Sequence, residues 1–270
     1  MELHDLLELY DQDQRRDLID PLYRREVDGG VVRAVPLMPG RLGFVTYSHL
    51  GESDVEDAIQ SQVDYFTSLG VNFEWKHYDH DTPPDLKDRL RRRGFEIEES
   101  EAILVCELDT PPTSLLQPLP ILDAPPAEAS GLHIQQIRDP RALGPLVELE
   151  EAIWETKMDW LYDHLGLYLR DYPDLLSVYL AYIDSVPACA AWVFYQSSSQ
   201  FASLWGGSTL PQFRQRGLYK SLLAVRMQEA MRRGFRFLMV DASPMSQPIL
   251  KKFGFRLLDY STPCTWKEQK

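Results

Sequence analysis

The chain has 270 residues, 44% of them hydrophobic, with 41 acidic against 28 basic side chains, a formal net charge of −13 and a pI of about 4.9. That length allows one large or two small domains, and that hydrophobic content excludes wholesale disorder. The acidic balance argues against nucleic acid, whose binders need a basic face, and favours cationic or amine substrates through long-range steering.

In chain order, residues 2–25 are charged with spaced leucines (Leu3, Leu6, Leu7, Leu9), which predicts an amphipathic helical region. Residues 31–35 and 42–47 are β-rich, with the turn signal Pro39-Gly40 between them. Ser53 is placed to cap the next helix, with Glu56 completing a capping box. Val55, Ile59, Val63, Phe66 and Leu69 then recur on one helical face, and Gly70 ends it. A strand is predicted over 73–78, a helix over 85–93 ended by Gly94-Phe95, and a strand pair or one long strand over 97–108. Residues 110–130 hold Pro111, Pro112, Pro118, Pro120, Pro125 and Pro126 with few charges, which predicts an extended linker and a domain boundary.

After the linker, a strand at 132–137 precedes helices at 140–155 and 160–169. Strands at 175–183 and 188–195 flank Asp184-Ser185-Val186-Pro187 as a hairpin. A strand follows from Phe201, then a helix with the broad apolar face Leu218, Leu222, Leu223, Val225, Met227 and Met231. A wholly apolar strand at 237–240 is expected to be covered on both faces. A helix at 244–252 and strands at 255–260 and 265–266 complete the chain, and the edge at Thr265-Trp266 is expected to be open for pairing. A monomer or a homodimer is expected.

The three cysteines, Cys106, Cys189 and Cys264, are far apart and have neither disulfide nor zinc spacing, so a reducing cytosol is the expected setting. Cys189, in a strand, reads as a small core residue. The N-terminal stretch is acidic rather than a basic-then-apolar leader, and the longest apolar run, 186–194, is too short to span a bilayer. The expectation is a cytoplasmic protein with no membrane partner.

The stretch FASLWGGSTLPQFRQRG, 201–217, organises the rest. The pair Gly206-Gly207 inside a strand predicts a bulge or a close approach of backbone or ligand. Pro211 ends the ladder, and Arg214-Gln215-Arg216-Gly217-Leu218-Tyr219 runs straight into a helical pattern. A strand, a basic glycine-containing turn and a helix start form an anion site, because free N–H groups and the helix dipole both favour phosphate. The alternative is an ordinary strand–loop–helix unit with a surface Arg pair.

This stretch resembles the GNAT acyl-CoA N-acyltransferases, whose pyrophosphate loop reads Arg/Gln-x-x-Gly-x-Gly/Ala; here it is Arg214-x-x-Gly217-x-Tyr219, with Tyr219 in place of the small last residue. Thr209-x-Pro211 before it and Gly254-Phe255 after it extend the resemblance. The two halves echo each other as well. Gly70-Val-Asn-Phe-Glu-Trp leads through a helix to Gly94-Phe95, and Gly234-Phe-Arg-Phe-Leu-Met leads through a helix to Gly254-Phe255. The resemblance therefore implies an α/β (mixed α+β) fold of two GNAT-like domains, each a mostly antiparallel mixed sheet flanked by helices. Their expected bounds are 1–110 for a degenerate copy, 111–130 for the linker and 131–270 for the acetyltransferase copy.

The first copy's matching junction, Ser48-His49-Leu50-Gly51-Glu52-Ser53-Asp54, lacks Arg, and Asp54, Glu56 and Asp57 crowd its helix start. Those carboxylates repel a pyrophosphate, so only the second copy is expected to bind one. The resemblance implies acetyl-CoA as acyl donor, held by Ser208, Thr209, Leu210, Arg214, Gln215, Arg216, Gly217, Leu218, Tyr219 and Ser243. It implies an amine of a small molecule or peptide as acceptor. Non-catalytic CoA binding and aminoacyl or thiol-conjugate transfer of tandem GNAT type stay open.

Acyl transfer to an amine needs a base for the ammonium and an acid for the thiolate. No carboxylate lies in 201–216, and Leu250 stands where the family has its Tyr. Ser243 matches the family's Asn; with Ser246 it either meets pantetheine or caps a helix. Glu151 and Tyr219 are further candidates, beside Glu148, Glu150 and Glu155, whose simplest reading is a solvated helix face; Tyr260 either supplies a phenol or packs. His77-Tyr-Asp-His80-Asp81 reads as a hydrated turn, with a metal site as the alternative; no metal is expected.

Overall fold

The computed structural model describes residues 1–123 and 131–267. The N-terminal helix α1 (Leu3–Tyr10) runs into a wider π-type turn, Asp11–Arg16. Then come β1 (Tyr23–Asp28), β2 (Val31–Pro36), β3 (Gly43–Ser48), α2 (Val55–Ser68), β4 (Phe73–Tyr78), α3 (Leu86–Arg92), β5 (Glu96–Ile97) and β6 (Glu101–Glu107). They are followed by β7 (Ile121–Leu122), β8 (Leu132–Ile137), α4 (Gly144–Trp154), α5 (Asp159–Asp171), β9 (Leu176–Ile183), β10 (Val186–Tyr195) and β11 (Phe201–Thr209). The chain ends with α6 (Leu218–Arg232), β12 (Phe237–Ala242), α7 (Gln247–Lys252) and β13 (Arg256–Trp266).

These elements fall into two compact units. The first is Met1–Val105 with Asp241–Lys252 and Arg256–Lys270; the second is Cys106–Val240 with Phe253–Phe255. This grouping differs from a cut at 111–130, because β13 lies in the sheet of the first unit.

In the first unit the strand order is β1-β2-β3-β4-β13-β6, with β5 also on β13. Only β3 and β4 are parallel, and α2 connects them. In the second unit the order is β12-β11-β10-β9-β8-β7, antiparallel except for β11/β12, connected by α6, and β7/β8. Both sheets are thus mixed and mostly antiparallel, as expected. The internal echo is also present. Gly70, Gly94, Gly234 and Gly254 all have positive φ (63°, 96°, 83° and 83°), and each follows a helix whose chain then turns into a strand. In the second unit Asp184 and Ser185, both left-handed, form the two-residue turn of the expected β9–β10 hairpin.

Several expectations are corrected. Residues 23–25 are not helical: Tyr23–Asp28 is an edge strand whose charged side chains suit a half-solvated rim. Ser53 does not cap α2. Its hydroxyl donates to Asp54 Oδ1 at 2.7 Å, and the N-cap residue Asp54 makes no side-chain cap bond. Residues 111–123 are more than a bare linker: Leu115 is fully buried, Gln228 Nε2 donates to Leu115 O at 2.7 Å, and β7 pairs β8. Residues 124–130 of the expected linker lie outside the described residues. Thr265 and Trp266 are not an open edge, because Glu74 and Phe73 of β4 face them, and Glu96 of β5 faces Thr265 from the other side.

In the stretch His77–Asp81, expected to be a hydrated turn, His77, Tyr78 and Asp81 are buried, His80 is half-buried and only Asp79 is exposed. His77 is buried, and burial pushes it down to about 4, so it packs as a neutral ring. Asp81 accepts from the buried Arg15 at 2.6 Å and from the Tyr78 N–H at 2.9 Å. The Arg15 guanidinium lies 3.8 Å from the Tyr78 ring centroid. His80 donates to Asp11 Oδ2 at 2.8 Å and also contacts Asp259 of β13. No group of metal-ligating side chains that could hold an ion occurs among the described residues.

His80 makes the first unit pH-sensitive. Burial alone disfavours its charged form, but the hydrogen bonds to Asp11 and Asp259 prevail and push it up from 6.5 to about 9. A raised folded pKa means that the stabilisation is complete below about 6.5 and is lost as pH rises through about 9. Urea midpoints measured from pH 6 to pH 10 are therefore expected to fall more steeply for the wild type than for His80→Gln; parallel profiles overturn the assignment.

Candidate active site

The site is built on β11. Gly206 and Gly207 have φ of +67° and +87°, and the register with β10 slips there: Ser208 faces Ala190, Gly206 faces Ala191, and Gly207 is the extra residue of a β-bulge. Side chains at either glycine have no room. A Cβ on Gly206 meets the Trp192 ring at 2.6 Å, and one on Gly207 meets the Tyr219 ring at 2.8 Å. Tyr219, where the resembled loop has a small residue, packs against the space the glycine leaves.

The bulge is held from α6 by Arg226, a buried guanidinium. It donates to Leu222 O at 3.1 Å, to Trp192 O at 3.2 Å and to Trp205 O at 3.1 Å. Trp192 and Trp205 are the facing pair next to the slip. Burial lowers the pKa of Arg226, and no carboxylate contact offsets it among the described residues. On the other side of β11, pairing with β12 covers only Phe201, Ala202 and Ser203. From Leu204 onward the backbone groups on that side have no ladder partner among the described residues.

Beyond Thr209 the chain makes a 3₁₀ turn at Pro211–Phe213, then takes left-handed conformations at Gln215 (φ 64°) and Gly217 (φ 81°). The first bond inside α6 is Ser221 N–H to Gly217 O at 2.9 Å, which leaves the N–H groups of Leu218, Tyr219 and Lys220 without helix partners. Arg214 Nε closes the loop onto Thr209 O at 3.2 Å, and the Arg216 guanidinium lies 5.5 Å from the Phe213 ring centroid. Neither arginine, nor Lys220, forms an ion pair among the described residues. The structure therefore brings Ser208, Thr209, Leu210, Arg214, Gln215, Arg216, Gly217, Leu218 and Tyr219 together at one strand–helix junction.

Ser243 and Ser246 belong to the first unit, where Ser243 Oγ accepts from the Ser246 N–H at 3.3 Å at the start of α7. Leu250 is buried, and the Tyr260 hydroxyl accepts from Gln247 at 3.3 Å. Glu151 is held by Lys157 at 2.7 Å and accepts from the Met158 N–H at 2.9 Å, contacts that keep its carboxyl below the usual range. Cys189 is a core residue whose thiol burial pushes up to about 11, and it accepts from Thr209 Oγ1 at 3.1 Å.

Glu150 is the carboxylate the sequence reading undervalued. It is 2% exposed, and its Oε2 accepts from Ser208 Oγ of β11 at 2.9 Å and from Trp154 Nε1 at 3.0 Å. Its Oε1 is buried with no partner among the described residues. Burial raises its pKa, and the bonds from Ser208 and Trp154 only partly oppose this. A carboxylate of α4 thus reaches the β11 residue Ser208. A signal was present: Leu143, Leu146, Val147 and Glu150 fall at i, i+3, i+4 and i+7, so Glu150 lies on the buried stripe rather than on the solvated face.

No protein-family model matches the sequence, and no curated protein matches it at a significant level. Solved structures do. A GCN5-related N-acetyltransferase from Kribbella flavida is similar over 98% of this chain and 95% of its own, at 15% identity and a TM-score of 0.66. A conserved protein of unknown function from Staphylococcus epidermidis matches over 98% and 100%, at 12% identity and a TM-score of 0.66. A tandem GNAT protein from the clavulanic acid biosynthesis pathway matches over 94% and 86%, at 13% identity and a TM-score of 0.58. At these identities the likeness shows the fold: the chain has the GNAT fold in tandem arrangement.

The bulge yields a stability test. Gly207→Ala forces an L side chain into a left-handed conformation against the Tyr219 ring, and is expected to lower stability by about 1–3 kcal/mol. Gly166→Ala, inside α5 where the new Cβ meets Pro140 and Leu143 at ordinary contact distances of 3.7 and 3.8 Å, is expected to leave stability level or raise it. Equal urea midpoints for the two variants overturn this account of the bulge.

Proposed function

We propose that the second unit is an acyl-CoA-dependent N-acyltransferase that moves an acetyl group from acetyl-CoA to an amine of a small molecule or peptide. The observation that carries this reading is the junction at 204–220, where a strand edge without ladder partners among the described residues, left-handed glycines and a basic helix start meet. Such a junction suits a diphosphate with an amide-bearing arm. The N–H groups of Leu218, Tyr219 and Lys220, with Arg214 and Arg216, take the diphosphate. The β11 edge from Leu204 takes the amides as an added strand. The name of the Kribbella flavida neighbour, a GCN5-related N-acetyltransferase, agrees with this reading.

When bound, acetyl-CoA supplies a thioester whose carbonyl carbon bonds the amine nitrogen as its C–S bond breaks and the thiolate leaves. Glu150 removes the ammonium proton that otherwise blocks the nitrogen lone pair. Its raised pKa makes it a stronger base than an exposed carboxylate, and it works in the ionised form, so turnover rises with pH as it ionises. Ser208 orients the carboxylate. The rival reading, acetyl-CoA binding without turnover, is favoured by the buried, hydroxyl-free Leu250.

Calorimetry with acetyl-CoA, together with CoA release over a panel of amines, tests the proposal. The expected results are a single site per chain and roughly ten- to hundredfold weaker binding in Arg214→Ala, from the loss of one charge-assisted contact. Glu150→Gln is expected to keep binding and to lose about 10²–10⁴ in kcat. Full binding in Arg214→Ala places the cofactor elsewhere, and binding without release of CoA for any amine leaves the rival reading.

A further inference from the structure

The face of the second unit that holds Glu150 also exposes an unusual amount of aromatic surface. Trp154, Trp160 and Trp205 are 61%, 62% and 51% exposed. A run of contacts links them. Trp205 of β11 lies 6.3 Å from Phe194, Phe194 lies 5.8 Å from His164, and His164 lies 6.4 Å from Trp160 of α5, all between ring centroids. Trp154 joins the same strand through Glu150 and Ser208. The register puts Trp205 opposite Trp192 and Ser208 opposite Ala190, so Trp205 and Ser208 project from the same face of the sheet.

We propose that the acceptor is a primary amine carried on an aromatic or other flat apolar body, seated against Trp205 and Trp160 with its ammonium at Glu150. This rests on the acetyl-transfer reading above. Three observations select that class. The buried Glu150 has an oxygen with no partner, which suits a single cation. The indole N–H groups of Trp154 and Trp205 are already used, by Glu150 and by Ser203 Oγ at 2.9 Å, so these rings offer apolar surface and no donors for sugar hydroxyls. Of the carboxylates flanking Trp154, Glu151 is taken by Lys157 and the Met158 N–H, which removes one of the anions a polyamine would use. A cation over or beside indole rings gains from their quadrupole, and the apolar body gains from burial against them. Trp154 and Ser208 both donate to Glu150 Oε2, which leaves Oε1 for the ammonium.

The test uses the full chain, saturating acetyl-CoA and three probes: 2-phenylethylamine, spermidine and glucosamine. CoA release is expected to be fastest with 2-phenylethylamine, by roughly tenfold or more in kcat/KM. Trp205→Ala and Trp160→Ala are expected to raise its KM roughly three- to thirtyfold with kcat little changed, and Trp205→Phe to restore most of the loss. Preference for spermidine or glucosamine, or an unchanged KM in both alanine variants, overturns the inference. Tryptophan fluorescence without acetyl-CoA separates this from failure of the reaction itself. Quenching by 2-phenylethylamine that Trp205→Ala abolishes supports the acceptor site even where no amine releases CoA; absence of quenching in the wild type overturns it.

Discussion

A buried guanidinium with no counter-charge among the described residues ties α6 to the bulge of β11 in the second unit. The bulge at Gly206-Gly207 removes backbone carbonyls from regular pairing, and an unpaired buried carbonyl costs about 1–3 kcal/mol. Arg226 meets that demand by donating to Trp192 O and Trp205 O on adjacent strands. Its own desolvation is unfavourable, as its lowered pKa reflects, and it is retained because five donors in a fixed fork satisfy several acceptors at once. With α6 tied to the bulge in this way, the bend of β11, the position of the 211–217 loop and the start of α6 follow from one contact set. The strand turns away from β12 after Ser203, and a free edge and a helix N-terminus open side by side.

What the sequence disclosed and what it withheld divide along physical lines. Gly206-Gly207 was legible because paired glycines inside a strand mark a bulge, and here a Cβ at either position would run into an aromatic ring. The echo of Gly70 and Gly94 in Gly234 and Gly254 was legible because helix ends leave a local mark. Strand partners were not. β13 is a continuous strand of 11 residues between β4 and β6, and no local pattern says which sheet a terminal strand joins. Arg15, Asp11, His80 and Asp259 look like solvated charges in sequence because their partners lie as far as 179 residues away. Glu150 was half visible: its place on the apolar stripe of α4 was readable, but its contact with Ser208 was not. Trp154, four residues on, gave no signal beyond a helical neighbour.

The two parallel strand–helix–strand crossovers, β3-α2-β4 and β11-α6-β12, are alike in backbone and opposite in charge. At the start of α2, Asp54, Glu56 and Asp57 meet the positive end of the dipole, where an acidic side chain contributes about 0.3–1 kcal/mol each. Arg89 and Arg93 add ion pairs to Glu52 and Glu56. That junction is electrostatically complete on its own. The start of α6 is the reverse: its first turn holds no acid, and Arg214, Arg216 and Lys220 stand at the same positive end without ion pairs among the described residues.

Cations at a helix N-terminus oppose the dipole by a similar amount, so α6 begins in a local conflict that its buried face, from Leu218 through Leu222, Val225 and Arg226, has to outweigh. Neutral or acidic residues there would stabilise the empty unit. An anion reverses the sign of every one of these terms at once, since it is attracted by the dipole, by the unpaired N–H groups and by both arginines. The charge arrangement therefore lowers the stability of the free unit and raises its response to a phosphate-bearing ligand, while the same backbone in the first unit is stabilised against such binding. In the proposed function, the choice between one anion site and two therefore rests on the side chains of two helix starts.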